Sequence, residues 1–380
     1  MAKENKNITP AKPFFSEDDI EEIKLYVERI LKSGMLTMGE YTKKFEEMFS
    51  QLSNTRYSIA VNSGTAALDI ILRSMKLKPG DEVLVPTNTF SATAAAVIFA
   101  GGKPVFTDIN PETLCMGVED LENKITAKTK GVIVVHIGGL ICPEINEIRE
   151  VCEDRKLFLV EDAAHAHGSK IDGKPAGSLA DAAAFSFYPT KVITTGEGGM
   201  ITTNNEEIAK KAAILRDQGK ENFASNIIVE LGYNWRMSEI NAAIGIVQLK
   251  RLNEFIEKRN IIAKIYDKAF DSMSGIKPLK TPSNILNNYY KYVAILDEDI
   301  DREKLKAKLR EKGVRCGGEV YWPPLHMQPV YQKLLGTKPG DFPKAEDVCK
   351  RMICPPIHAG MSIEDANYVT EKFKEALGEI

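Results

Sequence analysis

From Tyr57 onward the chain alternates between short apolar runs and longer amphipathic ones. "YSIAV" is followed by "GTAALDIILRSM", "DEVLVP" by "SATAAAVIFAGG", "KPVFTDI" by "VEDLENKI", and "GVIVVHI" by "PEINEIREVCEDR"; "KLFLVED" and "AAAFSFY" complete the series. The short apolar runs predict strands, and the runs with apolar positions three and four apart predict helices. Strands and helices in this order argue for an α/β fold with a mostly parallel sheet covered by helices on both faces. A run that is apolar throughout, such as "GVIVVHI", fits a strand buried on both sides.

The flanking segments read differently. "SEDDIEEIKLYVERILKSG" predicts a helix capped by Ser16, with acids in its first turn and a stop at Gly34. "KPFF" before it predicts an N-terminal arm, and "MLTMGEYTKKFEEMF" after it a second helix. Beyond Asn205 the pattern turns helical, with a long amphipathic stretch from about Ser238 to Phe270. There "YYKYVAIL" and "GVRCGGEVYW" alternate with "REKLKAKLREK" and a final helix near Ile363 to Leu377. At 380 residues the chain is too long for one compact core. The expectation is a large domain over residues 1–250, arm included, and a smaller α+β domain over 251–380.

Composition narrows the partners. The net charge is -3 and no dense Lys/Arg run occurs; "KAKLREK" reads as a solvated helix face, so nucleic acid and anionic membranes are disfavoured. The apolar run "ATAAAVIFA" is far too short to span a bilayer, and the N-terminus has no apolar signal core. Six cysteines without a CxxC pair point to reduced thiols and a cytoplasmic protein.

In a sheet of this kind, ligands sit outside the carboxyl ends of the strands. That rule selects Asn62-Ser63-Gly64-Thr65, Thr89-Phe90-Ser91, His136, Glu161 to His165, and Ser186 to Lys191. "SGTAAL" opens a helix whose free N–H groups suit a phosphate, although the same residues make an ordinary serine cap. Asp162 ends an apolar strand, and a carboxylate at that depth needs a partner; a helix cap or a salt bridge would serve equally. His165 and His167, two residues apart, do not form a metal-ligand set, and no metal is expected. Lys191 lies between the aromatic strand "AAAFSFY" and the glycine turn "TTGEGGM", where an amine is both fixed and partly desolvated. A phosphate cradle, an aromatic face at Phe90, a strand-end carboxylate, a hydroxyl at Ser186 and an amine are together what pyridoxal 5'-phosphate needs.

With these motifs in place the chain resembles the sugar aminotransferases called DegT/DnrJ/EryC1/StrS, of the fold-type-I aminotransferase class. The likeness runs through "SGMLTMGEYTKKFEEMF", "AVNSGTAAL", "GDEVLVPTNTFSATAAAV", "VEDAAHAHGS", "GSLADAAAFSFYPTKVITTGEGGMITT", "LGYNWRMSEINAAIGIVQL" and "PLHMQPVY". It implies that Lys191 forms the Schiff base, that Asp162 pairs with the pyridine nitrogen, and that His165 lies near the ring hydroxyl. It implies that Phe90 covers the ring and that Gly64, Thr65 and Ser186 hold the phosphate. Asn234 would reach the phosphate bound by a partner subunit, which implies a homodimer with shared active sites. Met35, Trp235 and Gly138 depart from the commoner residues of the family. These positions border the implied acceptor pocket, with Tyr321 and His326 of "VYWPPLH"; that turn reads equally as a brace for the small domain.

The implied activity is transamination from L-glutamate to a keto sugar, in amino-sugar or surface-polysaccharide biosynthesis. A nucleotide-linked 4-keto-6-deoxy sugar is the favoured acceptor, and a free keto- or aldehydo-sugar acid the alternative. Two other classes share the scaffold. A cofactor-dependent sugar dehydratase would carry histidine where this chain has Lys191, and a non-catalytic regulator should lack the complete lysine, acid and phosphate set.

Overall fold

The computed structural model describes residues 6–380. Helices α1 (Glu17–Ser33) and α2 (Glu40–Ser53) precede a run of β1 (Tyr57–Val61), α3 (Gly64–Ser74), β2 (Glu82–Pro86), α4 (Ser91–Phe99), β3 (Lys103–Thr107), α5 (Val118–Glu122), β4 (Thr129–Val135), α6 (Ile145–Arg155) and β5 (Phe158–Asp162). A two-residue hairpin pair, β6 (Lys170–Ile171) and β7 (Lys174–Pro175), leads to β8 (Ala182–Ser186), β9 (Gly199–Thr203) and α7 (Glu206–Arg216). The long α8 (Glu239–Phe270) follows, then β10 (Ile276–Pro278), β11 (Ile285–Leu286), β12 (Ala294–Leu296), α9 (Arg302–Glu311), α10 (Pro329–Leu335), α11 (Pro343–Arg351), β13 (Met352–Ile353) and α12 (Ile363–Leu377).

The central sheet has seven strands in the order β1-β9-β8-β5-β4-β2-β3. β9 runs antiparallel to both its neighbours, and the other pairings are parallel. The reversal of β9 matters for function. It turns residues 187–198 into a loop above the carboxyl end of β8, so Lys191 is held at the same edge as the ends of β2, β4 and β5.

The described residues form two hydrophobic clusters. The larger surrounds the seven-stranded sheet; the smaller gathers Ile262, Tyr266 and Phe270 with α9, α12 and the sheet β10-β12-β13. Three features differ from the sequence reading. Residues 250 and 251, the expected boundary, lie inside α8, which serves the large cluster up to Ile256 and the small one from Ile262. Val320, Leu325 and Tyr331, from the C-terminal part of the chain, pack into the large cluster. "GVRCGGEVYW" forms no strand: Gly318 has a φ of 77°, and two prolines follow, so the segment cannot sustain a ladder.

The residue that precedes α2, Gly39, has no side chain to cap it. The cap comes instead from Glu239, the first residue of α8. Its carboxylate accepts from the N–H groups of Gly39 at 2.9 Å, Tyr41 at 2.8 Å and Thr42 at 2.9 Å, and from the Thr42 hydroxyl. One buried acid thereby satisfies the orphan donors of a helix that is distant in sequence. Glu239→Ala should lower the free energy of unfolding by about 2–4 kcal/mol, because several buried N–H groups lose their acceptor. Chemical denaturation measures this; a loss under about 0.5 kcal/mol, the range of an ordinary surface change, would contradict it.

Candidate active site

A cavity of about 540 Å³ opens at the carboxyl ends of the parallel strands. Gly64, Thr65, Phe90, Asp162, His165, Ser186, Lys191 and Tyr321 of the sequence-derived set all line it. Met35, Asn234 and His326 do not.

The phosphate-binding end is built by close approach. Ser63 caps α3, its side chain accepting from the Ala66 N–H at 3.1 Å, so the first turn presents its N–H groups outward. A Cβ on Gly64 would lie 2.7 Å from the Ser186 Cβ and 3.2 Å from the Phe185 carbonyl oxygen. Only glycine lets the start of α3 sit against the end of β8. Gly64, Thr65 and Ser186 thus form a cradle of N–H and hydroxyl donors at a helix N-terminus, the arrangement that suits a phosphate.

Asp162 lies at the buried end of β5. Its Oδ2 accepts from the Thr93 hydroxyl at 2.7 Å and its Oδ1 from the Ala164 N–H at 3.2 Å. Thr93 spends its proton on Asp162, so the 2.7 Å contact between Thr89 and Thr93 is a donation from Thr89. No lysine or arginine forms an ion pair with Asp162 among the described residues. Burial therefore raises its proton affinity above the usual carboxylate range, with Thr93, Ala164 and the Lys191 charge opposing. A positive group arriving in the cavity would meet an acceptor that is already oriented and lacks a cation.

Lys191 shows the converse effect. Desolvation lowers its pKa to about 8, assisted by the Lys291 charge and opposed by Asp162. Its Nζ lies 4.7 Å from the centre of the Tyr290 ring. At pH 7 about a tenth of such amines are unprotonated, against a few in ten thousand for an ordinary lysine. The sequence placed this lysine where it would be partly desolvated, and the structure gives the cause.

His165 stacks on Tyr290, with ring centres 4.3 Å apart and planes tilted by 29°. Its Nδ1 accepts from the Gly138 N–H at 3.3 Å, so Nε2 carries the proton and donates to the Tyr321 oxygen at 3.1 Å. Burial and the positive charge of Lys191 hold the ring neutral, well below the usual histidine range. His167 does not reach the cavity. It packs among Phe49, Phe185 and Phe187, and burial takes its pKa down to about 3. Phe90, ahead of α4, is 59% exposed and offers an open aromatic face, its ring 5.9 Å from that of Tyr321.

His326 is fully buried away from the cavity. Its Nδ1 meets the Thr87 hydroxyl at 2.7 Å and its Nε2 meets Glu346 at 2.9 Å, while Leu325 N–H donates to the Thr87 carbonyl at 2.9 Å. It therefore braces the 320–328 turn against the end of β2. The same turn is tied at Tyr321, whose N–H donates to Asn88 Oδ1 at 2.7 Å. Met35 is exposed near the start of α2, and Asn234 is exposed beside the end of β1.

Several lining or supporting residues were assigned no role from the sequence. Tyr188, Thr190, Glu197 and Tyr290 also line the cavity, and Asn88 and Thr93 hold residues that do. Thr93 stands one turn into a helix after a strand end, a position that could have been tested for a partner to Asp162. Tyr290 comes from the C-terminal part of the chain, and nothing in "NNYYKY" marks it.

Residues 17–374 match the DegT/DnrJ/EryC1/StrS aminotransferase family. The chain is 35% identical over 388 residues to the spore coat polysaccharide biosynthesis protein SpsC of Bacillus subtilis (strain 168), covering 99% of this chain and 98% of that one. It is 35% identical over 357 residues to the GDP-perosamine synthase of Escherichia coli O157:H7, covering 93% and 94%. The putative sugar aminotransferase Spr1654 from Streptococcus pneumoniae, in its PLP-form, superposes with a TM-score of 0.91 at 32% identity, over 98% of this chain and 99% of that one. The same protein is also solved in a PMP-form.

Pyridoxal 5'-phosphate is the cofactor of this family, and the residues present fit it: a cradle that a Cβ would fill, an amine of lowered pKa, and a buried carboxylate without a cation. Reaction of the cofactor-free protein with pyridoxal 5'-phosphate requires the unprotonated Lys191 amine. Its rate should therefore rise with pH and level off above about 8. The appearance of visible absorbance measures that rate; a rise continuing to the ordinary lysine range near 10.4 would contradict the burial account.

Proposed function

Because the chain belongs to the DegT/DnrJ/EryC1/StrS aminotransferase family, we propose that this transaminase moves the amino group of L-glutamate to the keto group of a nucleotide-linked 4-keto-6-deoxy sugar. The observation that carries the reading is the wall opposite the reactive pair. Lys191 and Asp162 face a cavity walled by Phe90, Tyr188, Tyr290 and Tyr321, flat apolar faces of which the three tyrosines carry polar tips. Such walls suit a sugar ring better than an amino-acid side chain alone.

Pyridoxal 5'-phosphate, when bound, supplies the electron sink that lets an amino group leave one carbon and arrive at another. The protein supplies the rest. The α3 N-terminus and Ser186 bind and orient the phosphate. Asp162, aligned by Thr93 and Ala164, keeps a proton on the ring nitrogen. Lys191 Nζ, as a free amine, would take a proton from the substrate carbon and return it, as general base and acid. His165, neutral and fixed in one tautomer, holds the Tyr321 oxygen through Nε2–H, which leaves the Tyr321 proton free for an acceptor hydroxyl.

The free keto- or aldehydo-sugar acid is the lower-ranked acceptor; both acceptor classes are anionic, and among the described residues Lys191 is the only lysine or arginine lining the cavity. The donor carboxylates face the same shortage, which fits a site completed by a second copy. Supporting that homodimer, Phe223, Ile227, Ile228 and Leu231 are exposed, Leu231 to 91%, on the segment that leads to Asn234. A dehydratase reading lacks support at residue 191, which is lysine. No helix among the described residues is long and apolar enough to cross a membrane. The described cysteines are all unpaired, in keeping with the reducing cytoplasm we assign to the protein.

A panel of keto sugars with glutamate as donor, read by product mass, tests the proposal. Nucleotide-linked 4-keto-6-deoxy sugars should gain the amino group with a kcat/KM at least about tenfold above that of free keto- or aldehydo-sugar acids, equivalent to about 1.4 kcal/mol of transition-state binding. Amination confined to the free acids would overturn the acceptor assignment.

A further inference from the structure

Lys291 has no role in the chemistry above, yet it is placed unusually for a lysine. It is only 7% exposed, and its Nζ makes one long contact, 3.4 Å to the Gly317 carbonyl. A Cβ on Gly318 would lie 2.5 Å from that nitrogen, so the glycine at φ 77° makes room for the ammonium. A buried ammonium without a carboxylate at ion-pair distance costs stability, and such a residue needs a reason to be there.

The reason lies at the Tyr290 ring. Lys291 Nζ is 5.3 Å from the centre of the Tyr290 ring, and Lys191 Nζ is 4.7 Å from the same centre. Two ammoniums share one aromatic ring, and so stand no more than about 10 Å apart in a region poor in water, where charges act on each other more strongly than in solvent. We propose that Lys291 is a positioning residue for transamination: a second, buried positive charge that, through its place on the Tyr290 ring, biases Lys191 towards its free amine.

The charges around the pair permit this. Lys191 faces Asp162 at the end of β5, the neutral His165 of the following turn, Tyr290 and Lys291, with Glu197 of its own loop also lining the cavity and the neutral His167 buried behind it. Asp162 opposes the bias. Lys291 faces Tyr290, the Arg259 guanidinium of α8, Glu319 and the Cys354 thiol. Burial lowers the Lys291 pKa and Arg259 adds to that, while Glu319 favours the charged form; Cys354 is itself pushed up to about 12 and stays neutral at working pH. Desolvation is the main cause that lowers the Lys191 pKa, and the Lys291 charge acts in the same direction. A second ammonium is a recognised way of activating a lysine nucleophile.

The inference rests on the cofactor reading and is independent of the acceptor sugar. Its test is a spectrophotometric pH titration of the holoenzyme's visible band, which reports protonation at the Lys191 nitrogen, in the parent protein and in Lys291→Met, Lys291→Gln and Lys291→Arg. Presence of the band secures the cofactor reading; the midpoint alone decides this one. Removing the charge with Met or Gln should raise the midpoint by about one pH unit, and Arg should leave it within a few tenths. Met should also hold or raise the melting temperature, since an unpaired buried charge is removed. An unchanged midpoint in Lys291→Met or Lys291→Gln overturns the proposal, as does an equal shift in Lys291→Arg, because a packing role would respond to shape and not to charge.

Discussion

Removing an amine and a carboxylate from water in one cavity is the constraint on which the rest of this structure depends. Desolvation lowers the proton affinity of Lys191 and raises that of Asp162, so each is pushed towards its neutral form. Among the described residues neither has the ion-pair partner that buried charges ordinarily need. The arrangement is stable because neutral donors, Thr93 and the Ala164 N–H, hold the acid, and because an aromatic ring, Tyr290, receives the amine. It is reactive because a cofactor with a positive ring nitrogen and a carbonyl satisfies both groups at once.

The fold holds these groups in position by stapling distant segments together. Asn288 is the clearest staple: its Nδ2 donates to the carbonyls of His165 at 2.8 Å and His167 at 3.0 Å, and its Oδ1 accepts from the Tyr290 N–H at 2.8 Å. One buried amide thus sets the histidine turn after β5 against the ring that both lysines share. The fit leaves no room at Gly139, where a Cβ would lie 2.0 Å from Asn288 Oδ1 and where φ is 102°. The His326 contacts to Thr87 and Glu346, and the Asn88 contact to Tyr321, anchor the 320–328 turn in the same way. Both staples join the C-terminal third of the chain to the ends of the sheet, and they account for its share of the large hydrophobic cluster.

The parts of the molecule set by short-range rules were legible in the sequence. Strands buried on both faces must be apolar throughout, so "GVIVVHI" and "AAAFSFY" announced β4 and β8. The rule that ligands gather at strand ends then selected Gly64, Thr65, Phe90, Asp162, His165, Ser186 and Lys191, all of which line one cavity. The parts set by long-range contact were not legible. "GVRCGGEVYW" has apolar residues at strand-like density, but its glycines and the prolines after it make an irregular turn that delivers Tyr321. His326 looked like a pocket residue because aromatic and histidine side chains suit both a pocket and a brace; only its two hydrogen-bond partners separate these roles. Tyr290, Asn288 and Lys291 lie in a stretch with no motif, and their meaning comes wholly from what the fold brings opposite them.

The account stands most directly on the identity of the amine. Reducing the holoenzyme with borohydride, digesting it and mapping the added mass locates the lysine joined to pyridoxal 5'-phosphate. The account predicts the cofactor on the peptide that contains Lys191 and on no other. Attachment at Lys291, the second ammonium on the Tyr290 ring, or at a surface lysine would contradict it.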